Sequence, residues 1–283
     1  MNHSLFSVVI PVYNDPVISK CLAALFRCDV PPGWKMEVIV VDDGSFCFVS
    51  DRMLSFPVRY IRIPHSGQAS ARNKGIQEAR GEVIACLDSD CVPDISWVRE
   101  AVQSIQRADV VAGRISHAQT MVGDIISLSH FGIFSSPFPC RVPFFCSGNV
   151  VFRRSVLQQA VFPLIPAGED TLLSWRLSQA GILIAYNPAL VVVHDTETSW
   201  RYLFRVARRQ ARASVLIRRH DQTLPGSSVP RIMWPFVRLF RDYQRLFRFR
   251  SSFRIPWALV PAYMAVLAVV RAWYAVSLFL SRL

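Results

Sequence analysis

The sequence has no CxxC pair, no internal repeat, no low-complexity tract and, in its last 89 residues, no lysine. Its seven cysteines (21, 28, 47, 86, 91, 140 and 146) are odd in number and several sit inside apolar runs. That pattern suits reduced, buried thiols in a cytosolic protein better than a disulfide framework or a zinc site. The first residues, MNHSLFSVVIPVYN, lack a basic leader, and their apolar stretch is too short for a secretory signal. The main body is therefore expected in the cytoplasm.

What is present divides the chain in two. The first 194 residues hold 16 basic and 16 acidic side chains, whereas the remainder holds 16 arginines and four acids, so the whole formal charge of +12 lies in the tail. The chain is 52% hydrophobic with a mean hydropathy of +0.28, which is high for a soluble protein and points toward membrane contact. A length of 283 residues accommodates a domain of about 200 residues with an appendage.

Apolar, β-branched runs alternate with helical patterns through the body. Strands are expected over 5–12, 36–41, 58–63, 83–87 and 109–115, with helices over 17–27, 66–79 and 93–106. Such alternation indicates βαβ units and a mostly parallel sheet, whose ligand crevice lies at the carboxyl ends of its strands. Those ends carry Tyr13, Asn14, Asp42, Asp43, Asp88 and Asp90. Residues 121–143 show no clear pattern. Further on, 144–152 reads as a strand broken at Ser147-Gly148-Asn149, 171–180 as a helix, and 182–186 and 190–194 as two short strands.

The run Val83 to Leu87 ends in Asp88-Ser89-Asp90. Residues two apart in an extended segment point to one side, so the two carboxylates can meet on a hard divalent cation, although a solvated turn has the same composition. Glu169 and Asp170 begin a helix, where carboxylates also serve as simple caps.

Five segments together are more specific than any one of them. SVVIPVYN, VDDGS, SGQASARNKGIQEARGEVIACLDSD, FCSGNVVFRRSVL and GEDTLLSWRLSQAGI occur in this order. Over residues 5 to about 215 the chain resembles inverting glycosyltransferases of family 2, which have the GT-A fold, a Rossmann-like α/β sheet flanked by helices. The resemblance implies a donor site in which Pro11, Tyr13 and Asn14 line the nucleoside and Asp42 or Asp43 accepts a base N–H. Arg72 would lie near the phosphates; a surface salt bridge is the plainer role for it. Asp90 would bind Mg²⁺ or Mn²⁺, with Asp88 on the ribose or beside the metal, and His194 is a further candidate ligand. Asp170 would be the catalytic base, with Glu169 beside it and Gly148 and Asn149 on the acceptor or donor-sugar side. Processive members carry a QxxRW motif. Here Gln210 is followed by Ala211, Arg212, Ala213 and Ser214, so single transfer is expected. A nucleotidyltransferase would need a glycine-rich loop after the first strand, and PVYNDP has none.

The tail is expected to form two basic amphipathic helices. Arg201, Arg205, Arg208, Arg209 and Arg212 share about 100° of arc on the first. Arg238, Arg241, Arg245 and Arg248 stripe the second, opposite Leu239, Phe240, Tyr243, Leu246 and Phe247. Arginine-rich faces beside aromatic ones suit an anionic membrane surface, and the apolar stretch that follows argues against nucleic acid. Trp257 to Leu280 is that stretch: about 36 Å as a helix, apolar except at Arg271 and a few small or weakly polar residues. It is expected to span a bilayer, with a re-entrant or in-plane segment broken near Pro256 and Pro261 as the alternative. The expected organisation is a catalytic domain at 1–196, interfacial helices at 197–255 and a membrane segment at 256–283. The expected function is transfer of one sugar from a UDP-, GDP- or dTDP-sugar to a membrane-proximal, lipid-linked or saccharide acceptor on the cytoplasmic face. A transferase acting on soluble saccharide or protein, or a sugar-nucleotide-binding module without catalysis, are the alternatives.

Overall fold

A computed structural model describes residues 3–46, 55–195, 198–221, 223 and 230–280. Cys47 and the expected boundary at 196/197 lie outside the described residues. Within them the chain forms two compact units: 1–114 with 138–164 and 169–195, and 115–137 with 165–168 and 196–283.

The first unit is built on a nine-stranded sheet. Strands β1 (Ser4–Val12), β2 (Trp34–Asp42), β3 (Arg59–Arg62) and β4 (Val83–Leu87) are parallel, in the order β3-β2-β1-β4. The apolar runs of β1 and β4 are buried, as strands covered on both faces require. Helices α1 (Ile18–Leu25), α2 (Gln68–Glu78) and α3 (Trp97–Ile105) interleave with them. Pairing of β1 with β4 stops at Val9↔Cys86, two residues before Pro11, which has no N–H to give a ladder.

Beyond β4 the sheet turns antiparallel. Strand β8 (Asn149–Arg153) runs against β4, β6 (Val110–Ser116) against β8, and β9 (Ile184–His194) against the short β5 (Cys91–Pro93) and β7 (Cys140–Val142). The two strands expected over 182–194 are one eleven-residue strand. Pro188 lies in the gap between them without breaking the strand, and the pairings with β7 and β5, over 184–186 and 192–194, fall on either side of it. Short helix α5 (Arg154–Gln159) and helix α6 (Glu169–Gln179) complete this unit.

The second unit is helical. Helix α4 (Met121–Ile126) continues as a π turn (Ser127–Phe131) and a 3₁₀ turn (Gly132–Ser135), which accounts for the blurred periodicity of 121–143. With it pack α7 (Trp200–His220), α8 (Trp234–Phe249) and α9 (Val260–Leu280). The Ser199 hydroxyl accepts from Tyr202 N at 3.1 Å and starts α7.

Candidate active site

Parallel neighbours end at the same edge of a sheet, so β1, β2 and β4 deliver Tyr13, Asp42 and Asp88 to one rim. The antiparallel half adds to that rim from the other direction. Register Leu87↔Asn149 sets Gly148 against Asp88, and register Cys91↔His194 sets His194 beside Asp90.

Asp88 is held by Arg72, whose Nη2 donates to Asp88 Oδ1 at 2.6 Å while Nη1 donates to Glu169 Oε1 at 2.9 Å. The guanidinium is 1% exposed, so the surface salt bridge weighed from the sequence is not found. Arg72 is a buried brace joining the two acidic motifs, the farther of which, at Glu169, is 97 residues from Arg72 in the chain. Its Nε has no partner among the described residues. Gly148 completes the packing around Asp88: a Cβ there would stand 2.5 Å from Asp88 Oδ2, closer than real side chains tolerate.

Asp90 Oδ1 lies 3.4 Å from His194 Nε2. Burial, with Asp88 and Asp15 repelling it and His194 opposing them, pushes the Asp90 carboxyl up to about 6. Asp15, which the sequence reading passed over, accepts the Ser89 hydroxyl within this same acidic triplet. Among the described residues Asp90 and His194 bring a carboxylate and an imidazole together, with the charges of Asp88 and Asp15 near enough to repel Asp90, and an oxygen donor beside one imidazole fits Mn²⁺ or Mg²⁺. The Cys91 thiol also falls within 4.8 Å of the Asp90 and His194 ligand atoms, but soft sulfur is a poor match for hard Mg²⁺ or Mn²⁺.

Asp170 opens α6. Its Oδ1 accepts Thr171 N at 2.6 Å. Burial first, and the adjacent Glu169 carboxylate second, lift it from 3.8 to about 6, the range a base needs near neutral pH.

Four of the expected residues also hold the fold together. Asn149 was expected beside the acceptor or donor sugar. Its amide oxygen instead accepts Trp97 Nε1, and its Nδ2 donates to the Arg114 and Leu190 carbonyls, each at 2.9 Å, so the side chain ties β8 to α3, β6 and β9. Asp42 is fully buried, accepting from Ser45 N at 2.9 Å and Tyr60 Oη at 2.6 Å. Asp43 accepts from Ser66 N and Gly67 N, with His65 Nδ1 at 2.9 Å. Neither carboxylate is open to solvent; both anchor loops, since a buried acid must be paired. Pro11 is likewise buried within β1.

What these anchors present is an aromatic wall. Tyr13 stacks on His65 with centroids 4.2 Å apart, and the exposed Phe46 ring sits 6.1 Å from Tyr13. Asn14, at φ +50°, closes the loop: its side-chain oxygen accepts Phe46 N, and its own N–H donates to the Ser45 hydroxyl. His65 and Phe46 carried no signal in the sequence beyond adjoining the SGQ and DDGS segments.

Comparison with known proteins bears directly on this site. The curated pre-mycofactocin glycosyltransferase of Mycobacterium tuberculosis (strain ATCC 25618 / H37Rv) is 31% identical over 242 residues, covering 79% of this chain and 50% of that protein. The chain spans about half the length of that relative. The mannosyltransferase PcManGT from Pyrobaculum calidifontis, solved with GDP-Man and Mn²⁺, superposes with a TM-score of 0.65 at 18% identity, over 97% of this chain and 86% of that one. GalNAc-T7, solved with UDP, GalNAc and Mn²⁺, gives 0.57 at 18% identity over 85% and 54%. At such identities these two structures establish the GT-A fold. The sequence profile described as "Glycosyl transferase family 2" matches residues 7–160, more than half the chain. With that match and that relative, the chain belongs to glycosyltransferase family 2.

Proposed function

We propose that this chain is a divalent-metal-dependent inverting glycosyltransferase that moves a single sugar from a nucleotide-sugar donor to a lipid-linked acceptor beside a membrane. The supporting observation is the pairing of two acidic centres through one buried cation. Asp90 with His194 stands at one end, Asp170 at the other, and Arg72 binds the neighbour of each.

The base of the donor would stack on the wall of Tyr13 and His65, since a flat π surface accepts any nucleobase. Asp90 and His194 would hold Mg²⁺ or Mn²⁺, with Asp88 beside them. When bound, that ion supplies the positive charge that stabilises a departing nucleoside diphosphate. Asp170 takes the proton of the acceptor hydroxyl as that oxygen bonds to the sugar C1. The bond from C1 to the diphosphate oxygen breaks, its electron pair leaving with the nucleoside diphosphate. Attack opposite the leaving group inverts C1. The Asp170 proton then passes to solvent.

Asp90→Ala and Asp170→Asn, assayed for sugar-nucleotide turnover with Mn²⁺, test this assignment. Loss of about a hundredfold or more is expected in each. Unaltered turnover in both would refute it. Polyprenyl-phosphate and free oligosaccharide acceptors, compared under the same conditions, separate the lipid-linked acceptor from a soluble one.

A further inference from the structure

The helical unit is packed inside out along two of its helices. Arg271, the one charge of α9, is buried and points away from that helix's open face. Its Nε donates to Asp242 Oδ2 of α8 at 2.6 Å, its Nη2 to the Ser129 carbonyl at 2.6 Å, and its Nη1 to Gln210 Oε1 of α7 at 3.2 Å. Arg245 adds a contact to Asp242 Oδ1 at 3.5 Å, and Arg238 reaches Ser214 and the face of Tyr274. Asp242 has no exposure at all. The exposed face of α9 is the reverse: every exposed residue there is Pro, Ala, Val, Trp, Phe or Leu, among them Val269, Trp273, Val276, Phe279 and Leu280. On α8, Phe236, Phe240 and Phe247 fall within about 40° of arc and are likewise exposed, with Arg241 and Arg248 alongside. The arginine stripe expected on α8 is thus split, because buried Asp242 draws two of its guanidinium groups inward.

Charge inside and aromatic and aliphatic side chains outside is the arrangement that water penalises and hydrocarbon favours. Helix α7 has the ordinary polarity: Leu203, Ala207, Ala211 and Val215 are buried, and Arg201, Arg205, Arg208, Arg209 and Arg212 are all exposed. It packs along α9, with Trp273 Nε1 donating to the Phe204 carbonyl at 3.0 Å.

We infer that α8 and α9 lie in the plane of an anionic bilayer leaflet, their Phe and Val/Trp stripes in the acyl region and the neighbouring arginines at the phosphates, so that α9 embeds without crossing. Length alone would permit a crossing. A crossing α9 that kept its partners would draw the exposed arginines of α7 and α8 into hydrocarbon, each with an unfavourable insertion free energy. Lying in plane leaves them at the headgroups, where each attracts anionic lipid. The inference stands on the helical unit alone and holds whether or not the transferase assignment does.

Two measurements on the full chain test it. The first is co-flotation with phosphatidylcholine vesicles, with and without phosphatidylglycerol. Wild type should bind both, more tightly and with salt sensitivity when phosphatidylglycerol is present. Phe240→Glu and Val269→Glu, at exposed positions, should each weaken binding about tenfold or more with an unchanged melting curve. Leu183→Glu, an exposed site in the first unit, should change nothing. The second is labelling of Trp257→Cys and Leu280→Cys in sealed vesicles by a membrane-impermeant maleimide, mapped by peptide mass. Labelling of both from the outer side is expected. Labelling from opposite sides means a spanning helix and overturns the inference. So does a chain that ignores vesicles and instead forms a dimer dissociated by the two glutamates.

Discussion

Replacing Asp170 by Asn should abolish turnover and at the same time stabilise the protein. The carboxyl is lifted from 3.8 to about 6 by burial and by Glu169, so holding it ionised in the fold costs about 3 kcal/mol at pH 7.5. The sign follows from proton uptake. A folded pKa above the unfolded one means that the native state binds the proton more tightly. The destabilisation is therefore complete above pH 6, about half as large at pH 5, and gone below pH 3.8. An Asn side chain avoids it at every pH. Against this gain, the carboxylate accepts from Thr171 N and Ser147 N, whereas an amide's oxygen can face only one of these donors and its NH₂ end cannot accept the other, a loss of about 1 kcal/mol. The net is about 2 kcal/mol at pH 7.5, on the order of 5 °C in Tm. Thermal melts of wild type and variant at pH 7.5 and pH 5, with nucleotide release measured on the same samples, read both halves. An equal Tm difference at the two pH values, or turnover within tenfold of wild type, would refute the assignment of Asp170 as a buried, high-pKa base. Wild-type kcat/KM should likewise fall as pH drops through about 6, because the base must be unprotonated to act.

Three further outcomes are expected. Gly148→Ala forces a methyl to within 2.5 Å of Asp88 Oδ2, so the carboxylate must move; turnover should fall at least about tenfold while circular dichroism is unchanged. Arg72→Ala leaves Asp88 and Glu169 without their shared cation and should destabilise by about 3–5 kcal/mol in denaturant titration. Arg72→Lys should rescue only part of that, because one ammonium does not reproduce two divergent N–H contacts. In the helical unit, Arg271→Leu strands Asp242 and should cost a similar amount, whereas Arg271→Leu with Asp242→Leu should recover most of it; a double variant no better than the single would show that the pair is not the cause.

The local order of this protein was legible from its sequence because burial on both faces leaves so clear a record. The runs at 5–12, 36–41 and 83–87 are β-branched and end in polar turns, and they are β1, β2 and β4 to within two residues. The acids at their ends were equally visible, as was the order of segments that marks the family. Tertiary structure alone decided what those side chains are for. Asp42, Asp43 and Asn149 read as ligand residues in the sequence and also anchor the fold, because a polar side chain's contacts depend on which donors the topology brings near it. Arg72 became a brace only when α2, β4 and α6 met around it. His65 entered the site only when its loop folded against Tyr13. The same holds for the tail. Composition determined that residues 257–280 form an apolar helix with a single charge, since hydropathy depends on the residues themselves. Which way that charge faces depends on the partner at Asp242, 29 residues away, and no periodicity within one helix records it.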